Sequence, residues 1–343
     1  VPGMKNYWVA VGVMAGFCQG GGVGKCIAEW IIDGEPSIDV WAMDVARFGD
    51  YASPQYGTIK SSENYERRFI MTFPNETLPK GRKQKTTALY DRFVNQGAVM
   101  GDSFGLENVL WFANNKEDAH EEPTIKRSRS HDYVSKEVIN VRENVGLIEV
   151  ANFSKHEFKG PDARKFLDHI MAGRLPKPGR ISLSPMLSYR GKLCGDLTVA
   201  CLDENEFMVF GSGAAQEMHR RWFESHLDKF NLNYKNRSDE FHGLSIAGPN
   251  SRKVLEKIVR DDVSNEKFKF RDSRRMFVGG VPAIINRISF TGELGYEIYV
   301  APHYQLKLYE ELMEAGKEFN IKPFGGRALM SMRLEKNWGA WTL

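Results

Sequence analysis

Cysteine is scarce in this chain: Cys18, Cys26, Cys194 and Cys201 are the only four in 343 residues, and no two form a CxxC pair. That spacing argues against a zinc ribbon or a dithiol redox centre and leaves buried, reduced thiols as the expectation. The eight histidines are scattered without an HExxH pair, so no metal site is expected. An excess of one charge is missing too. The formal net charge is +3, too small to argue for a nucleic-acid partner. The one basic cluster, Lys126 to Ser130, is broken by serines and followed by His131 and Asp132; it reads as a solvated loop. No apolar run reaches the ~20 residues that cross a bilayer, so no membrane partner is expected. Val1 stands where an initiator methionine would be and no signal peptide follows; an internal fragment of a longer chain is the expectation.

What is present is a globular composition, 42% hydrophobic and 27% charged. A chain of this length buries about three quarters of its unfolded surface and forms about two domains. Near its start, Gly20 to Lys25 spells GGGVGK between an apolar stretch, Tyr7 to Val13, and CIAEWII. The apolar stretch predicts a strand. CIAEWII predicts a helix with Ile27, Trp30 and Ile31 on one face, stopped by Gly34 and Pro36. A glycine-rich turn between them would aim backbone N–H groups and a helix N-terminus at a phosphate or another electron-rich group. Two familiar motifs do not fit. A P-loop needs glycine at position 19 and serine or threonine at position 26, which hold Gln19 and Cys26. A dinucleotide fingerprint starting at Gly20 needs glycine where Lys25 stands. A tight turn without a ligand stays open beside the phosphate reading.

Asp39 to Asp50 is irregular, as where one unit ends. Residues 51–105 carry many charges, Pro74, Pro79, a strand-like Phe69–Phe73 and a short helix over Thr87–Val94; they read as a connecting segment packed on its neighbours. Beyond Glu107 the pattern is regular and contains an internal echo. GPDARKFLDHIM (Gly160–Met171) is matched by GPNSRKVLEKIV (Gly248–Val259), each behind a strand-like stretch. Each puts proline at the expected first helical position, then apolar residues at helical spacing: Phe166, Leu167 and Ile170, and Val254, Leu255 and Ile258. A duplicated strand–helix unit explains the echo, although two helix starts can also converge on it. Duplicated units tend to pack about a pseudo-twofold axis with a ligand groove between them. A helix over Ala214–Phe230 sets Met218, Trp222, Phe223 and Leu227 on a core face, and strands are predicted at ISLSPML, DLTVACL, EFMVFG, AIINRISF and YEIYV. Strands mixed with helices, many strands antiparallel, predict an α+β fold.

Two of these strand segments carry carboxylates. In GKLCGDLTVACL, period-2 alternation puts Asp196, Thr198 and Ala200 on one face and Leu197, Val199 and Cys201 on the other. Asp196 and Thr198 then face a groove or polar pocket, unless Asp196 simply ends a surface turn. In RISFTGELGYEIYV the TGELG core predicts a turn with Glu293 at its tip and Gly292 and Gly295 free for positive φ. Glu297 follows on the returning strand beside Tyr296 and Tyr299. A carboxylate among aromatics can accept two parallel N–H bonds from a flat heterocycle, such as a pterin or purine, while the rings stack on it. A hairpin with solvated glutamates is the plain alternative.

GDLTV, GPDARKFL and RISFTGELGYEI, in this order, resemble the tetrahydrofolate-dependent aminomethyltransferase family typified by the T-protein of glycine cleavage. VRENVGLIEVANFSKHEFKGPDA, RLPKPGRISLSPML and the closing GGRALMSMRLEKNWGAW are similar to the folate domain fused behind a flavoenzyme in dimethylglycine and sarcosine dehydrogenases. The stretch from Tyr7 to Pro36, with DVARF after it, resembles the C-terminal end of the glycine-oxidase-like flavin domain of those enzymes. Residues 51–105 resemble their central linker domain. The resemblance covers essentially the whole chain.

On that resemblance the chain divides into 1–48, the end of an FAD-dependent oxidoreductase domain; 49–105, its central linker domain; and 106–343, a folate-binding aminomethyltransferase domain that the family carries further. The implied chemistry is oxidation of a small N-methyl amine by FAD to an iminium, whose one-carbon unit tetrahydrofolate captures as methylene-tetrahydrofolate. Asp196 is the implied catalytic residue, holding the iminium and accepting a proton as the folate amine attacks. At ~4 Å and an effective dielectric near 20, a carboxylate is worth roughly 4 kcal/mol to a unit cation. The implied folate contacts are Glu297, at the pterin, with Phe290, Thr198, Tyr299 and Arg327. The implied residual FAD contacts are Gly21, Gly22, Val23, Gly24 and Lys25. The chain departs from the family pattern at three positions: Gly195 replaces one of two adjacent acids, Phe290 an aromatic hydroxyl, and Leu329 an arginine, leaving Arg327 two positions earlier. An electron-transfer flavoprotein is the implied redox partner, in a bacterial cytoplasm or a mitochondrial matrix. A flavin-independent folate-dependent demethylase and a non-catalytic folate-binding module stay as alternatives. The glycine-rich turn argues against the first, and the joint presence of Asp196 and Glu297 against the second.

Overall fold

The computed structural model describes residues 1, 4 and 6–342. Helices α1 (Gly16–Asp33), α2 (Pro54–Glu66) and α3 (Tyr90–Asn95) precede an antiparallel hairpin of β1 (Ala98–Ser103) and β2 (Leu106–Phe112). Helix α1 stops where Gly34 takes φ 85° and its N–H returns to the Trp30 carbonyl at 3.2 Å, a left-handed cap that glycine adopts without steric cost. Ser53 caps α2 by accepting the Tyr56 N–H at 3.2 Å, with Pro54 opening the helix.

This region differs from its sequence-based expectation. Tyr7–Val13 is not a strand; no strand pairs with it among the described residues, so its backbone groups lack the ladder bonds that would hold it extended. Gly20–Lys25 is not a turn. It lies inside α1, so the N–H groups of Gly21, Gly22, Val23, Gly24 and Lys25 run along the helix rather than converging on a ligand. A Cβ at Gly20, Gly21, Gly22 or Gly24 would meet nothing within 4 Å, and the helix is held by its second half, where Cys26 is buried and Trp30 packs 5.8 Å from Trp8. Phe69–Phe73 is likewise irregular and largely exposed, and α2, not foreseen, precedes it.

Helix α4 (Ser130–Glu143) leads into a path traced twice. The first pass is β3 (Val145–Glu149), β4 (Phe153–Lys159), α5 (Ala163–Ile170), β5 (Arg180–Leu187), β6 (Leu193–Asp203), β7 (Glu206–Ser212) and α6 (Gln216–Glu224). The second is β8 (Asn233–Asn236), β9 (His242–Ala247), α7 (Ser251–Ile258), β10 (Ser273–Val278), β11 (Val281–Asn286), β12 (Gly295–Val300) and α8 (Gln305–Ala315), followed by β13 (Ile321–Pro323) and α9 (Gly326–Glu335). One sheet runs β5-β6-β7-β4-β8 and the other β10-β11-β12-β9-β3-β13. These are the same order with the opening strands exchanged: β3 precedes β4 but pairs with β9, and β8 precedes β9 but pairs with β4. Neither half completes its sheet alone.

The echo also recurs bond by bond. Gly160 and Gly248 sit at φ 141° and 129°. The Ala163 N–H donates to the Gly160 carbonyl at 3.0 Å, and the Ser251 N–H to the Gly248 carbonyl at 3.1 Å. A Cβ on Gly248 would lie 2.4 Å from the Val141 carbonyl oxygen, so the turn closes only over glycine. Pro161 and Pro249 stand within these turns, before the caps Asp162 and Asn250, not at the first helical position.

The sheets lie face to face between outer helices. Leu244, Ile246, Ile285, Tyr296 and Ile298 bury one outer face under α7 and α8, while Phe158, Leu197, Val199, Phe207 and Val209 bury the other under α5 and α6. Ile148, Ile181, Ala200, Phe210, Ile284 and Tyr299 fill the interlayer, which α4 and α9 close with Val138, Val141, Ala328 and Met332.

The segment before α2 docks on α6. The buried Asp44 carboxylate accepts two bonds from Arg221, at 2.7 and 3.2 Å, and one from the Ala46 N–H at 2.9 Å. Lys192 Nζ donates to the Ser37 carbonyl at 2.5 Å. Arg221→Met strips that carboxylate of its cation. Hydrogen exchange across residues 37–52 is expected to quicken about tenfold, with α5 unchanged; unchanged exchange at 37–52 would show the pair to be dispensable.

Candidate functional site

Asp196 and Thr198 share the inward face of β6. Leu197, Val199 and Cys201 are fully buried under α5 and α6, so the period of two turns Asp196 and Thr198 toward the interlayer. Thr198 pairs in register with Phe210 of β7. The Phe210 ring stacks on Tyr299 at 4.6 Å, and the Tyr299 hydroxyl donates to Glu297 Oε2 at 2.9 Å. This chain of contacts links Thr198, on the same strand face as Asp196, to Glu297 on the other sheet. Tyr299 is itself covered, which makes it the support behind Glu297 and not a stacking platform. Tyr296 points the other way, against Phe268 at 5.9 Å, because adjacent strand residues face opposite sides.

Asp196 is half-buried, and burial holds its carboxyl above the ordinary range. Its Oδ1 accepts the Trp341 backbone N–H at 3.3 Å. The Trp341 indole lies between Trp41, at 5.7 Å, and His219, at 5.7 Å. Residues from three distant parts of the chain therefore meet over Asp196.

Glu297 lies opposite Ser245 of β9 and Asn286 of β11. Burial pushes its carboxyl up to about 7, opposed by the Tyr299 hydroxyl and by Lys155. Lys155 is fully buried, donates to the Ala151 carbonyl at 2.7 Å and sits 5.8 Å from the Tyr299 ring centre. Burial pulls its ammonium down to about 7 against the attraction of Asp239, Glu149 and Glu297. Phe290, Ile148, Phe153, Ser245 and Leu329 wall a recess of ≈ 10 Å³ at Glu297. Ile148, Val150, Phe153 and Leu329 also line a mostly apolar cleft of ≈ 700 Å³. In the hairpin before Glu297, Gly292 takes the expected positive φ of 92°, but Gly295 does not; it already lies in β12.

Arg327 stands apart from both carboxylates. Its guanidinium donates to Ser130 Oγ at 2.5 Å and pairs with Glu121 at 3.0 Å, on the wall of the larger cleft. His219, Lys155 and Trp341 were not anticipated. One signal for His219 was available: a glycine within a strand, Gly195, marks close approach of another group. A Cβ there would lie 2.9 Å from His219 Nε2. Nothing in the alternation of β4 distinguishes Lys155 from an exposed lysine.

The model of the GCVT N-terminal domain matches residues 89–343, and that of the FAD dependent oxidoreductase central domain matches residues 33–87. The mitochondrial dimethylglycine dehydrogenase of Homo sapiens is 36% identical over 345 residues, 99% of this chain and 40% of that protein. The mitochondrial sarcosine dehydrogenase of Homo sapiens is 26% identical over 388 residues, 99% of this chain and 42% of that protein. The chain thus spans about 40% of the length of these relatives. The crystal structure of glycine cleavage system aminomethyltransferase T from Bartonella henselae shares the fold, with a TM-score of 0.62 at 22% identity over 74% of this chain and 63% of that one. With well over half of its residues matched by one model, and a second model matching the segment ahead of it, the chain belongs to the GCVT N-terminal domain family, in the form that carries an FAD dependent oxidoreductase central domain before it.

Proposed function

We propose that this chain is the one-carbon-capturing part of an enzyme that oxidises N-methyl amines such as dimethylglycine or sarcosine. Asp196 holds the carbon unit as an iminium, and Glu297 anchors the pterin edge of tetrahydrofolate. The observation that carries this reading is that two partly buried carboxylates, one from each sheet, turn into a single interlayer, where Phe210 and Tyr299 join Glu297 to the strand that bears Asp196. Tetrahydrofolate, when bound, would supply the nucleophilic amine that takes up the carbon, the demethylated substrate amine leaving from that carbon.

The residues fit such a ligand in kind. Glu297 offers a carboxylate to the paired N–H donors of a pterin, with Tyr299 holding one oxygen. Phe290 and Phe153 supply aromatic walls, and the small recess and the larger cleft share Ile148, Val150, Phe153 and Leu329. Thr198 shares the inward strand face of Asp196, opposite Phe210. Arg327 stands on the cleft wall, where a folate's acidic tail would run. Asp196 keeps Oδ2 for the proton released as the carbon–nitrogen bond forms, since Oδ1 takes the Trp341 N–H.

The flavin is a different case. Gly21–Lys25 lie inside α1 and present no cluster of free N–H groups, so these residues do not fit the expected contact with the isoalloxazine ring or nearby flavin atoms, and no step is assigned to them. Amine oxidation, with electrons passing to an acceptor such as an electron-transfer flavoprotein, is proposed for the enzyme as a whole. A mitochondrial location would match the two dehydrogenase relatives.

The test is to follow dimethylglycine and sarcosine turnover by the enzyme carrying this chain. Without tetrahydrofolate, formaldehyde should appear stoichiometrically. With saturating tetrahydrofolate, methylene-tetrahydrofolate should replace it at equal turnover. Formaldehyde release undiminished by trapping on the enzyme would sink the reading.

A further inference from the structure

His219 does not touch the interlayer, yet it reaches both the strand just before Asp196 and the residue that caps it. It lies on α6 with 2% of its surface exposed. Its Nε2 faces the carbonyl of Cys194 at 3.1 Å. A carbonyl only accepts, so Nε2 must carry the hydrogen and donate it, which fixes the tautomer. That bond ties down β6 two residues before Asp196. The face of the same ring lies 5.7 Å from Trp341, whose N–H donates to Asp196 Oδ1. One side chain thus holds the strand that bears the carboxylate and the residue that caps it.

The surroundings have made room for this ring. A Cβ on Gly195 would sit 2.9 Å from Nε2, and one on Gly211 would sit 3.4 Å from Nδ1. The glycine at 195 leaves the space that the imidazole fills, whereas at Gly211 a Cβ would first meet Leu197 at 2.6 Å and only touch the ring. A larger side chain at Gly195 would need the volume that His219 occupies. The ring is held neutral, since burial depresses its pKa to about 4.

We infer that His219 is a positioning residue for Asp196: a neutral, Nε2-protonated imidazole that fixes the carboxylate through the Cys194 carbonyl and Trp341. This rests on the role proposed for Asp196, and the measurements are chosen to separate the two.

Nitrogen-15 NMR of this chain should show His219 as the neutral Nε2–H tautomer throughout pH 6–8. The Nδ1–H tautomer, or an imidazolium at pH 6, would overturn the inference. In the full enzyme, His219→Phe keeps a ring against Trp341 but removes the donor. It should lower kcat for one-carbon transfer about tenfold or more, with KM for tetrahydrofolate within about twofold. His219→Gln restores a donor and should return kcat to within about threefold. Gly195→Ala, which displaces the imidazole without altering it, should behave like His219→Phe and covers the case in which that variant misfolds. Wild-type kcat in His219→Phe, or an equal loss in His219→Gln, overturns the inference. If the wild-type enzyme transfers no carbon, the proposed function fails on its own account. The carbon-13 carboxyl shift of Asp196 then decides: it should move in His219→Phe and hold in His219→Gln, and a shift that moves in neither overturns the positioning role.

Discussion

Asp196→Ala is expected to slow one-carbon transfer about a hundredfold to a thousandfold while leaving tetrahydrofolate affinity within about twofold. The magnitude comes from the charge. A carboxylate ~4 Å from a developing cation, at an effective dielectric near 20, contributes roughly 4 kcal/mol, and losing 3–4 of those is two to three decades in rate. The affinity holds because the pterin is assigned to Glu297, on the other sheet. Asp196→Asn keeps the shape and the Trp341 bond but removes the charge, so it should fall nearly as far. Rapid-quench measurement of methylene-tetrahydrofolate, with calorimetry for folate, checks both quantities. A variant that lost folate binding but kept its transfer rate would reassign Asp196 to the folate side of the site.

Glu297→Gln should weaken binding of a stable analogue such as 5-formyltetrahydrofolate about a hundredfold at pH 8 and abolish its pH dependence. Two hydrogen bonds to an ionised carboxylate, at roughly 1.5 kcal/mol each, account for the loss. The pH effect follows from the direction of the shift. Burial pushes the Glu297 carboxyl up to about 7, so it is mostly protonated at pH 6 and mostly ionised at pH 8. If only the carboxylate accepts both pterin N–H groups, wild-type affinity should rise about tenfold across that interval. Lys155 is the other group brought to about 7 beside it. Lys155→Met should keep the rise but move its midpoint upward, because a cation favouring the carboxylate is gone. Affinity that is flat with pH in the wild type would exclude Glu297 as the anchor.

Much of this site was legible from residue order. The alternation in GDLTVACL placed Asp196 and Thr198 on the face opposite Leu197 and Val199, and the structure buries those two as expected. The paired GPxxRK segments announced a duplication that the matching sheet orders display in full. Alternation is a local property: it depends only on the strand having one apolar side. The same rule, applied to Glu297, should have set Tyr296 behind the sheet, where it lies against Phe268. The glycine run failed for a related reason. Glycine is compatible with a turn, a ligand cradle or a helix, and what decided was the strength of the helical segment after it.

The sequence by itself determined the strands bearing Asp196 and Glu297, the repeat and the family, because each is written in short spacings and side-chain periods. Only the tertiary structure decided which strands exchange between the sheets, that Tyr299 stands behind Glu297, that Arg327 is engaged by Glu121, and that His219 fills the space left by Gly195. Those are contacts between residues far apart in the chain. Their partners are selected by packing volume and by the need of buried polar groups for a mate, and no period along the sequence encodes either.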